Sequence, residues 1–311
     1  MKHTILGAGG SIGNALTNEL LKSKESVRLV SRSNFSISGA ESFKADISSF
    51  DQTLNSVKGS DIVYLMAGLP YDRKVWSEYW PKIMRNVIDA CKSCGAKLIF
   101  FDNVYMYGLV DGKMTEETPY FPCSVKGEIR ATVANLLNNE MKHNNLQAMI
   151  ARSADFYGPY ASNSSVLYFM AIDKLMKNKK AQWLADDTKL HSFTYTLDCA
   201  KALNLLWNKE ECYQQVWHLP TAAPAITGIQ LINLIGKELG VEPTHTVLKK
   251  WMLNMAGLFD KTIFESLEML YQSENNYQFD SSKFNKYFNF KPTSYEVGIR
   301  ETIEFYKQAK L

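Results

Sequence analysis

A run of glycines stands close to the start of the chain, where residues 7–13 read Gly-Ala-Gly-Gly-Ser-Ile-Gly. A short strand-like run, 2–6, precedes it, and an amphipathic helical pattern follows it. Glycine lets the backbone turn tightly and approach a pyrophosphate closely, and a helix N-terminus offers free N–H groups to phosphates. In this strand–loop–helix context the motif predicts a dinucleotide site. Its residues are Gly7, Gly10, Ser11, Ile12 and Gly13.

The end of the second predicted strand carries Ser31-Arg32-Ser33, with no acidic residue. An NAD-preferring site places an acid there to bind the ribose hydroxyls, whereas an NADP site tends to place an arginine. Arg32 can pair with a 2′-phosphate, and the two serines can donate hydrogen bonds to it. We therefore expect NADP as the cofactor, with NAD as the alternative.

Two basic residues, Lys126 and Arg130, lie four positions apart in a predicted helix and therefore face the same side of it. A neighbouring cation and partial burial both lower the pKa of a lysine, and a lysine tuned in this way can act as a general acid or base. Arg130 stays charged, so it can bind a ribose or phosphate without transferring protons. Two roles stay open for the pair: proton transfer by Lys126, or a clamp on an anionic cofactor or substrate.

Short apolar runs alternate with longer amphipathic runs over the first 160 residues. The strand-like runs are continuous, as expected when both faces of a strand are buried. The alternation predicts right-handed βαβ crossovers, and so an α/β chain with a Rossmann-type, doubly wound parallel sheet. Predicted strands cover 2–6, 27–30, 43–45, 61–65, 97–101 and 148–151, and predicted helices cover 11–23, 75–94 and 124–143.

The pattern changes after about Tyr160, where helices dominate and only short strands separate them. We expect a smaller, mostly helical C-terminal substrate lobe over the carboxyl ends of the strands, with the active site in the crevice between. We assign residues 1–160, with 192–218 returning to them, to the cofactor-binding domain. Residues 161–191 and 219–311 form the substrate lobe. Predicted helices in this half cover 163–177, 197–208, 227–239, 249–259, 262–273 and 294–307.

Composition excludes several classes of protein. The 311 residues carry a net charge of only +3, and acids and bases are spread along the chain, so no nucleic-acid surface is indicated. No segment approaches the roughly 18 apolar residues of a membrane span, and no signal-peptide pattern is present. Five cysteines argue against a disulfide framework, and Cys91-x-x-Cys94 indicates a buried cysteine and its neighbour rather than a metal or redox site. We expect a cytoplasmic protein without metal.

Six further motifs occur in a fixed order after the glycine loop. Together with it they resemble the extended short-chain dehydrogenase/reductases, which include the nucleotide-sugar epimerases and dehydratases. The resemblance covers nearly the whole chain. It implies that Asp46 and Ile47 contact the adenine, and that Met66, Ala67, Gly68, Ser153 and Ala154 lie beside the cofactor. The motifs are Asp46-Ile47, Met66-Ala67-Gly68, Tyr107-Gly108, Glu116-Glu117-Thr118-Pro119, the segment 152–159, and Phe193-Thr194-Tyr195-Thr196-Leu197-Asp198.

The catalytic positions depart from that resemblance. The family normally uses a Ser after strand five and a Tyr-x-x-x-Lys on the next helix, and these positions hold Asn103, Lys126 and Arg130 here. The chain therefore looks most like the atypical members of the family. Asn103 can still hydrogen-bond a carbonyl or hydroxyl. Tyr105 follows it by two residues, and we expect it to be the substitute phenol.

Three residues are expected on the substrate side: Asp155, Tyr157 and His191. In the nucleotide-sugar epimerases that the chain resembles, the position of Asp155 is commonly an Asn near the substrate diphosphate. An Asp would repel a diphosphate unless Arg152 or Lys126 neutralised it. Four partners of Asp155 therefore stay open: a cationic substrate, a polyhydroxylated substrate, Lys126, or a cation within the same loop.

Together these features predict an NAD(P)-dependent oxidoreductase or epimerase/dehydratase that acts on a small polar, possibly sugar-derived, substrate through a non-standard site. The alternative is a catalytically inactive sensor or scaffold that binds NADP(H). In many relatives the two long helices that correspond to residues 75–94 and 124–143 form a homodimer interface. Trp76, Tyr79 and Trp80 are expected on the outer faces here, so a homodimer is possible.

Overall fold

The computed structural model describes residues 1–33 and 35–308, so residue 34 and the last three residues assigned to the lobe lie outside it. All statements about structure concern the described residues. Their strands, numbered in chain order, are β1 (Lys2–Leu6), β2 (Ser26–Ser31), β3 (Glu41–Lys44), β4 (Ile62–Leu65), β5 (Lys97–Asp102), β6 (Lys113–Met114), β7 (Ala148–Arg152), β8 (Asp155–Tyr157), β9 (Ala181–Leu184), β10 (Leu190–His191), β11 (Phe193–Tyr195), β12 (Val216–His218), β13 (Ile226–Thr227), β14 (His245–Leu248) and β15 (Gln278–Phe279).

Helices cover both faces of the sheet and make up most of the C-terminal half. A π-helical turn, Tyr168–Ile172, runs into α5, and 3₁₀ turns occur at Tyr105–Tyr107, Glu210–Cys212 and Leu267–Met269. The α-helices are α1 (Ser11–Lys22), α2 (Phe50–Val57), α3 (Arg73–Cys94), α4 (Val125–Lys142), α5 (Asp173–Met176), α6 (Thr196–Leu206), α7 (Gly228–Leu239), α8 (Lys250–Gly257), α9 (Lys261–Ser266), α10 (Tyr271–Glu274), α11 (Ser282–Tyr287) and α12 (Tyr295–Gln308).

Seven strands form one sheet in the order β12-β7-β5-β4-β1-β2-β3. Every neighbouring pair in it is parallel, which confirms the predicted doubly wound sheet. The chain builds β1, β2 and β3 in one direction and then places β4 on the other side of β1. The direction of winding therefore reverses between β1 and β4, and such a reversal opens a crevice at the carboxyl ends of the strands.

The apolar runs that predicted the strands are buried on both faces of this sheet. On one face α2, α3 and α4 contribute side chains such as Val87 and Leu137 to a core with β4 and β5. On the other face Leu16 of α1 and Leu203 of α6 pack against β1 and β2. The sheet is therefore a rigid platform, and the loops at its carboxyl edge carry the side chains that can react.

The C-terminal half has a core of its own, formed mainly by α7, α12 and the β9 region. The segment between β11 and β12 contacts both halves. β11 pairs with β8 and contributes to the C-terminal core, whereas α6 packs on α1 and β12 extends the sheet beside β7. Ser11 at the start of α1 contacts this C-terminal half directly, because its hydroxyl lies 2.6 Å from that of Ser164.

One expectation about the molecular surface changes with the structure. Trp76 and Trp80 are buried, being 6% and 3% exposed, and lie within the core rather than on the outer faces of the long helices. Only Tyr79 of the three aromatic residues stays partly exposed. No helix among residues 1–33 and 35–308 is long and apolar enough to span a bilayer.

Candidate active site

The glycine loop connects β1 to α1 at the reversal point of the sheet. Gly7 has a φ of +95°, and a Cβ built on it would lie 2.3 Å from the Cα of Ala67, the second residue after β4. Gly10 precedes α1 as its N-cap and supplies no side chain to satisfy the first N–H groups of the helix. The loop therefore leaves free donors and unobstructed backbone where a pyrophosphate would lie, so its residues fit a dinucleotide.

The end of β2 presents one cation with no direct partner. Arg32 is exposed and makes no hydrogen bond or ion pair with any described residue. The hydroxyl of Ser31 donates to the carbonyl oxygen of Ser33, so it is held within the loop and does not point to a 2′-phosphate as expected. Arg32 is thus available for a phosphate at this edge, where Lys44 also lies opposite Ser31 and the carboxylate of Asp46 is within electrostatic range.

Hydrogen bonds fix the segments that are expected to lie beside the adenine and beside the rest of the cofactor. The amide N–H of Ser48 donates to Asp46 over 2.9 Å, and Asn86 of α3 donates to the carbonyl oxygen of Ile47 over 3.1 Å. The hydrogen bond from Ser48 keeps the pKa of Asp46 below its ordinary value. Ser153 and Ala154 are buried directly after β7, where their amides donate to the carbonyl oxygen of Asp102 and to Thr194. Met66 donates to the carbonyl oxygen of Leu6, and Gly68 is exposed.

Asn103 and Tyr105 follow β5 and form a tight turn. The side-chain oxygen of Asn103 accepts a hydrogen bond of 3.1 Å from the amide of Tyr105, so the carboxamide shapes the turn. The ring of Tyr105 stacks on Trp76 at a centroid distance of 6.3 Å, and its hydroxyl lies 3.5 Å from that of Tyr71. Burial raises the pKa of Tyr105 to about 12. The phenol therefore stays protonated at neutral pH and is a proton donor.

Lys126 has partners other than the expected cofactor or substrate. It is completely buried, and its ammonium group donates to the carbonyl oxygen of Glu265 over 2.8 Å, to Glu265 Oε2 over 2.8 Å and to Glu268 Oε1 over 2.9 Å. Its cationic end also lies 4.4 Å from the ring centre of Tyr71. All three protons of the ammonium are engaged, so neither proton transfer nor a clamp on a cofactor phosphate fits this geometry.

Arg130 is also engaged by a carboxylate. Its Nε donates to Asp102 over 2.9 Å, and its Nη2 donates to the same oxygen. The guanidinium lies 4.4 Å from the ring centre of Trp80, beneath the carboxyl end of β5. Arg130 is therefore buried with its charge compensated by Asp102, which leaves few of its N–H groups for a ribose. Lys126 and Arg130 thus each pair with a carboxylate from another element of the protein.

A chain of buried hydrogen bonds continues from Asp102 towards the C-terminal half. Arg152 donates to Asp102 over 3.4 Å and to the hydroxyl of Tyr107 over 2.7 Å. Tyr107 donates to Nε2 of His218 over 2.8 Å, because Nδ1 of His218 must donate to the carbonyl oxygen of Asp280, also over 2.8 Å. His218 is therefore neutral, which agrees with the effect of burial, since burial lowers its pKa to about 3. The network fixes the ends of β5, β7 and β12 relative to each other.

Asp155 and His191, both expected on the substrate side, lie together. Nε2 of His191 donates to Asp155 Oδ2 over 3.0 Å, and the imidazole stacks on Tyr277 at 4.4 Å between ring centres. His191 is buried, whereas 29% of the Asp155 side chain stays exposed. Asp155 is therefore the member of the pair that a substrate can reach.

Tyr157 does not line the crevice as expected. It is fully buried, with its ring against Tyr195 and Tyr295, and a Cβ on Gly298 would lie 2.3 Å from its hydroxyl. It follows Asp155 by two residues on β8 and packs into the core beneath α12. Its role is in packing.

Several residues of this region were not expected from the sequence. They are Tyr71, Glu265, Glu268, Tyr271 and Tyr277, which surround Lys126 and Asp155. They come from loops and short helices that no catalytic motif marks. Only an unexplained concentration of aromatic and acidic residues in 264–277 could have drawn attention to the segment.

Comparisons with known proteins agree with this architecture. The sequence model of the NAD-dependent epimerase/dehydratase family matches residues 3–216. The chain is 23% identical over 264 residues to YtcB of Bacillus subtilis (strain 168), described as an uncharacterised UDP-glucose epimerase, with 76% of this chain and 81% of the relative covered.

Solved structures share the fold over the full length. The UDP-glucose 4-epimerase of Thermus thermophilus in complex with NAD superposes with a TM-score of 0.82 at 16% identity, covering 99% of this chain and 100% of that one. The UDP-glucuronic acid 4-epimerase of Bacillus cereus, in complex with UDP-glucuronic acid and NAD, gives 0.81 at 20% identity, with 99% and 100% covered. At such identities the likeness concerns the fold alone.

Proposed function

This chain belongs to the NAD-dependent epimerase/dehydratase family, and on that premise we propose that it uses NADP to epimerise or dehydrate a sugar-derived substrate. Membership of this family makes it an NAD(P)-dependent enzyme of the extended short-chain type, and does not favour an inactive sensor. The observation that carries the proposal is the glycine cradle between β1 and α1, where Gly7 leaves no room for a side chain beside Ala67. If the protein did not bind a nicotinamide dinucleotide, the proposed function would be contradicted.

The preference for NADP rests on Arg32. Its exposed guanidinium has no hydrogen-bond or ion-pair partner in the described part of the chain, and it follows β2, where the adenosine ribose would lie. A 2′-phosphate would supply a directly paired anion, and a bidentate arginine–phosphate pair is among the strongest charged contacts. A bound nicotinamide would accept a hydride from the substrate and later return it. The residues of the chain orient the substrate and handle its proton.

The proton would be handled by Tyr105. Lys126 and Arg130 are paired with carboxylates, whereas the phenol of Tyr105 is protonated, half-buried and close to Asp155. It stands after β5, two residues beyond Asn103, whose carboxamide nitrogen makes no hydrogen bond to the described residues and can orient a substrate oxygen. In this arrangement Tyr105 would take the hydroxyl proton of the substrate as its carbinol is oxidised, passing its own phenol proton to solvent, and would return a proton when the carbonyl is reduced.

A sugar-derived substrate is supported by the relatives. Their descriptions name UDP-glucose and UDP-glucuronic acid. The corresponding crevice here offers hydroxyl, carboxamide and carboxylate groups from Tyr105, Asn103 and Asp155, which suit a polyhydroxylated molecule.

Cofactor and substrate can be tested in sequence. Fluorescence titration of the purified protein should show NADPH binding more tightly than NADH. The NADP-loaded enzyme should then be incubated with a panel of UDP-sugars and free sugars, and the products followed by NMR. A product with changed stereochemistry or an eliminated hydroxyl supports the proposal. A protein that binds neither dinucleotide contradicts it.

A homodimer and a cytoplasmic location stay predictions. Because Trp76 and Trp80 are buried, a dimer through α3 and α4 would have to use Tyr79 and the polar residues around it. Light scattering on the purified chain decides the oligomeric state. The free thiols of all five cysteines are typical of a reducing compartment.

A further inference from the structure

We propose that Asp155 binds a positively charged amino group of the substrate, so that the enzyme acts on an amino-substituted sugar derivative. This rests on the proposed function, because it concerns the substrate of the same site. It is carried by three features around Asp155: an uncompensated carboxylate, a surrounding group of tyrosines, and buried phenol hydroxyls that have no hydrogen-bond partner.

The carboxylate of Asp155 has no permanent cation beside it. Its ion-pair partner among the described residues is His191, which is charged only when protonated. The nearby cations have carboxylates of their own: Lys126 and Arg73 are bound by Glu265, and Arg130 is bound by Asp102. Because 29% of the Asp155 side chain is exposed, a ligand can supply the missing charge.

Four tyrosines share the space of this carboxylate. Burial raises the pKa of each phenol, and the negative charge of Asp155 raises it further. The ring of Tyr277 stacks on His191, the hydrogen-bond partner of Asp155, and the hydroxyls of Tyr71 and Tyr105 lie 3.5 Å apart. Tyrosine rings attract cations through the negative potential of their faces, as in the aromatic cages that bind ammonium groups. The tyrosines are Tyr71, Tyr105, Tyr271 and Tyr277.

Two of these phenols have unused hydrogen-bonding groups. Tyr277 is only 5% exposed, and neither its hydroxyl nor that of Tyr271 has a partner at normal hydrogen-bond geometry among the described residues; the backbone of Asp155 and the thiol of Cys123 lie close by at poorer geometry. Buried polar groups are rarely left unpaired, so these two oxygens indicate a ligand donor. An ammonium group carries three N–H donors, and Asp155 with the two phenol oxygens supplies acceptors for them.

The same groups disfavour a diphosphate at this position. A phosphate next to Asp155 would face a second anion, and the arginine and lysine that could neutralise it are already engaged within the protein. A neutral hydroxyl would satisfy the phenols but would leave the charge of Asp155 uncompensated. A protonated amine satisfies the phenol oxygens and compensates the charge.

Isothermal titration calorimetry on the NADPH-loaded enzyme tests this with three ligands that differ in one substituent and carry no phosphate: glucosamine, glucose and N-acetylglucosamine. We expect the free amine to bind about tenfold more tightly than the other two, because only it forms a charge-assisted pair. D155N should abolish this preference. D187N is the matched control, since Asp187 forms a similar pair with His245 over 2.7 Å elsewhere, and it should keep the preference.

Equal affinities for the three ligands overturn the inference, and so does a preference that survives in D155N or an amine ligand that does not bind. The comparison of ligands on the unmodified enzyme does not depend on the folding of any variant. NADPH binding is measured first, so loss of the proposed function would show there, separately from the choice of substrate.

Discussion

The ammonium group of Lys126 lies 2.8 Å from Oε2 of Glu265, a residue 139 positions further along the chain. Lys126 lies in the first turn of α4 beneath the sheet edge, and Glu265 lies near the end of the short helix α9 of the C-terminal half. The contact therefore joins the two halves at the position where the sequence resemblance predicts the family's catalytic tyrosine. Glu265 also accepts a hydrogen bond of 3.0 Å from the amide of Arg73, so a single carboxylate holds the starts of α3 and α4.

The substitution Lys126→Met should destabilise the protein strongly. It leaves the buried carboxylate of Glu265 and the nearby Glu268 without their cation, and breaking one side of a buried ion pair costs about 3–5 kcal/mol. Urea unfolding followed by circular dichroism measures the loss. The control is Lys261→Met, which removes an exposed lysine from its pair with Asp72 and should change stability little. Equal effects of the two variants would show that the buried contact has no special role.

Stability should fall between pH 6.5 and about 3 through His218. Burial and the charge of Arg152 lower its pKa from 6.5 to about 3, so the unfolded chain binds a proton there that the folded protein excludes. The contribution is complete above pH 6.5 and decreases as the pH falls, by at most about 1.4 kcal/mol per pH unit. Urea unfolding at a series of pH values gives the slope. His218→Gln keeps an acceptor for Tyr107 and should reduce that slope; an unchanged slope would assign it to other groups.

Tyr105→Phe should lower kcat by about 10²-fold or more, because it removes the proposed proton donor but keeps the ring stacked on Trp76. Cofactor affinity should be unaffected. Stopped-flow or product assays on the substrate found for the enzyme measure the effect. The matched variant is Tyr107→Phe, which alters the buried network with Arg152 and His218 and should act mainly on stability. Full activity in Tyr105→Phe would exclude the phenol as donor.

Arg32→Glu should reverse the cofactor preference. The substitution replaces an unpaired guanidinium by a carboxylate, which repels a 2′-phosphate and can accept hydrogen bonds from the ribose hydroxyls of NAD. NADPH affinity is expected to fall by about tenfold or more, whereas NADH affinity rises or stays equal. Fluorescence titration with both dinucleotides checks this. If Arg32→Glu left the ratio of the two affinities unchanged, Arg32 would not contact the cofactor.

Gly7→Ala should abolish dinucleotide binding. The added Cβ would lie 2.3 Å from the backbone of Ala67, so the glycine loop and the β4 end must separate. Gly59→Ala is a matched control, because that residue also has positive φ, +73°, but open space around its Cβ position. We expect the control to lose about 1 kcal/mol of stability through backbone strain while keeping cofactor binding. Binding by both variants would contradict the close approach at Gly7.

The sheet could be predicted because its signals are local. β4, β5 and β7 contain continuous apolar runs, and the structure places these strands, as well as β1 and β2, within about two residues of the predicted limits. Short elements such as α2 and β12 were missed, because eight or three residues give too little periodicity. The single helix predicted over 262–273 is three pieces, α9, a 3₁₀ turn and α10, whose bends follow from tertiary contacts of Glu265 and Glu268.

The candidate site was predictable only where a motif is contiguous. The glycine loop has its expected context, and Asp155 and His191 were both named from their own segments and lie together. The partners of Lys126 and Arg130 could not be found from spacing, since Glu265 is 139 residues away and Asp102 is 28. Tyr157 was misplaced because the crevice and the core both lie next to β8, and only packing decides between them.

The ion pair between Lys126 and Glu265 also affects how such a site can change during evolution. A tyrosine at residue 126 alone would leave two carboxylates facing a phenol, and neutralising those carboxylates alone would leave a buried ammonium without an anion. Each single change is disfavoured by the charge that it leaves unpaired. Residue 126 and the two carboxylates, which lie far apart in the gene, are therefore expected to change together rather than one at a time.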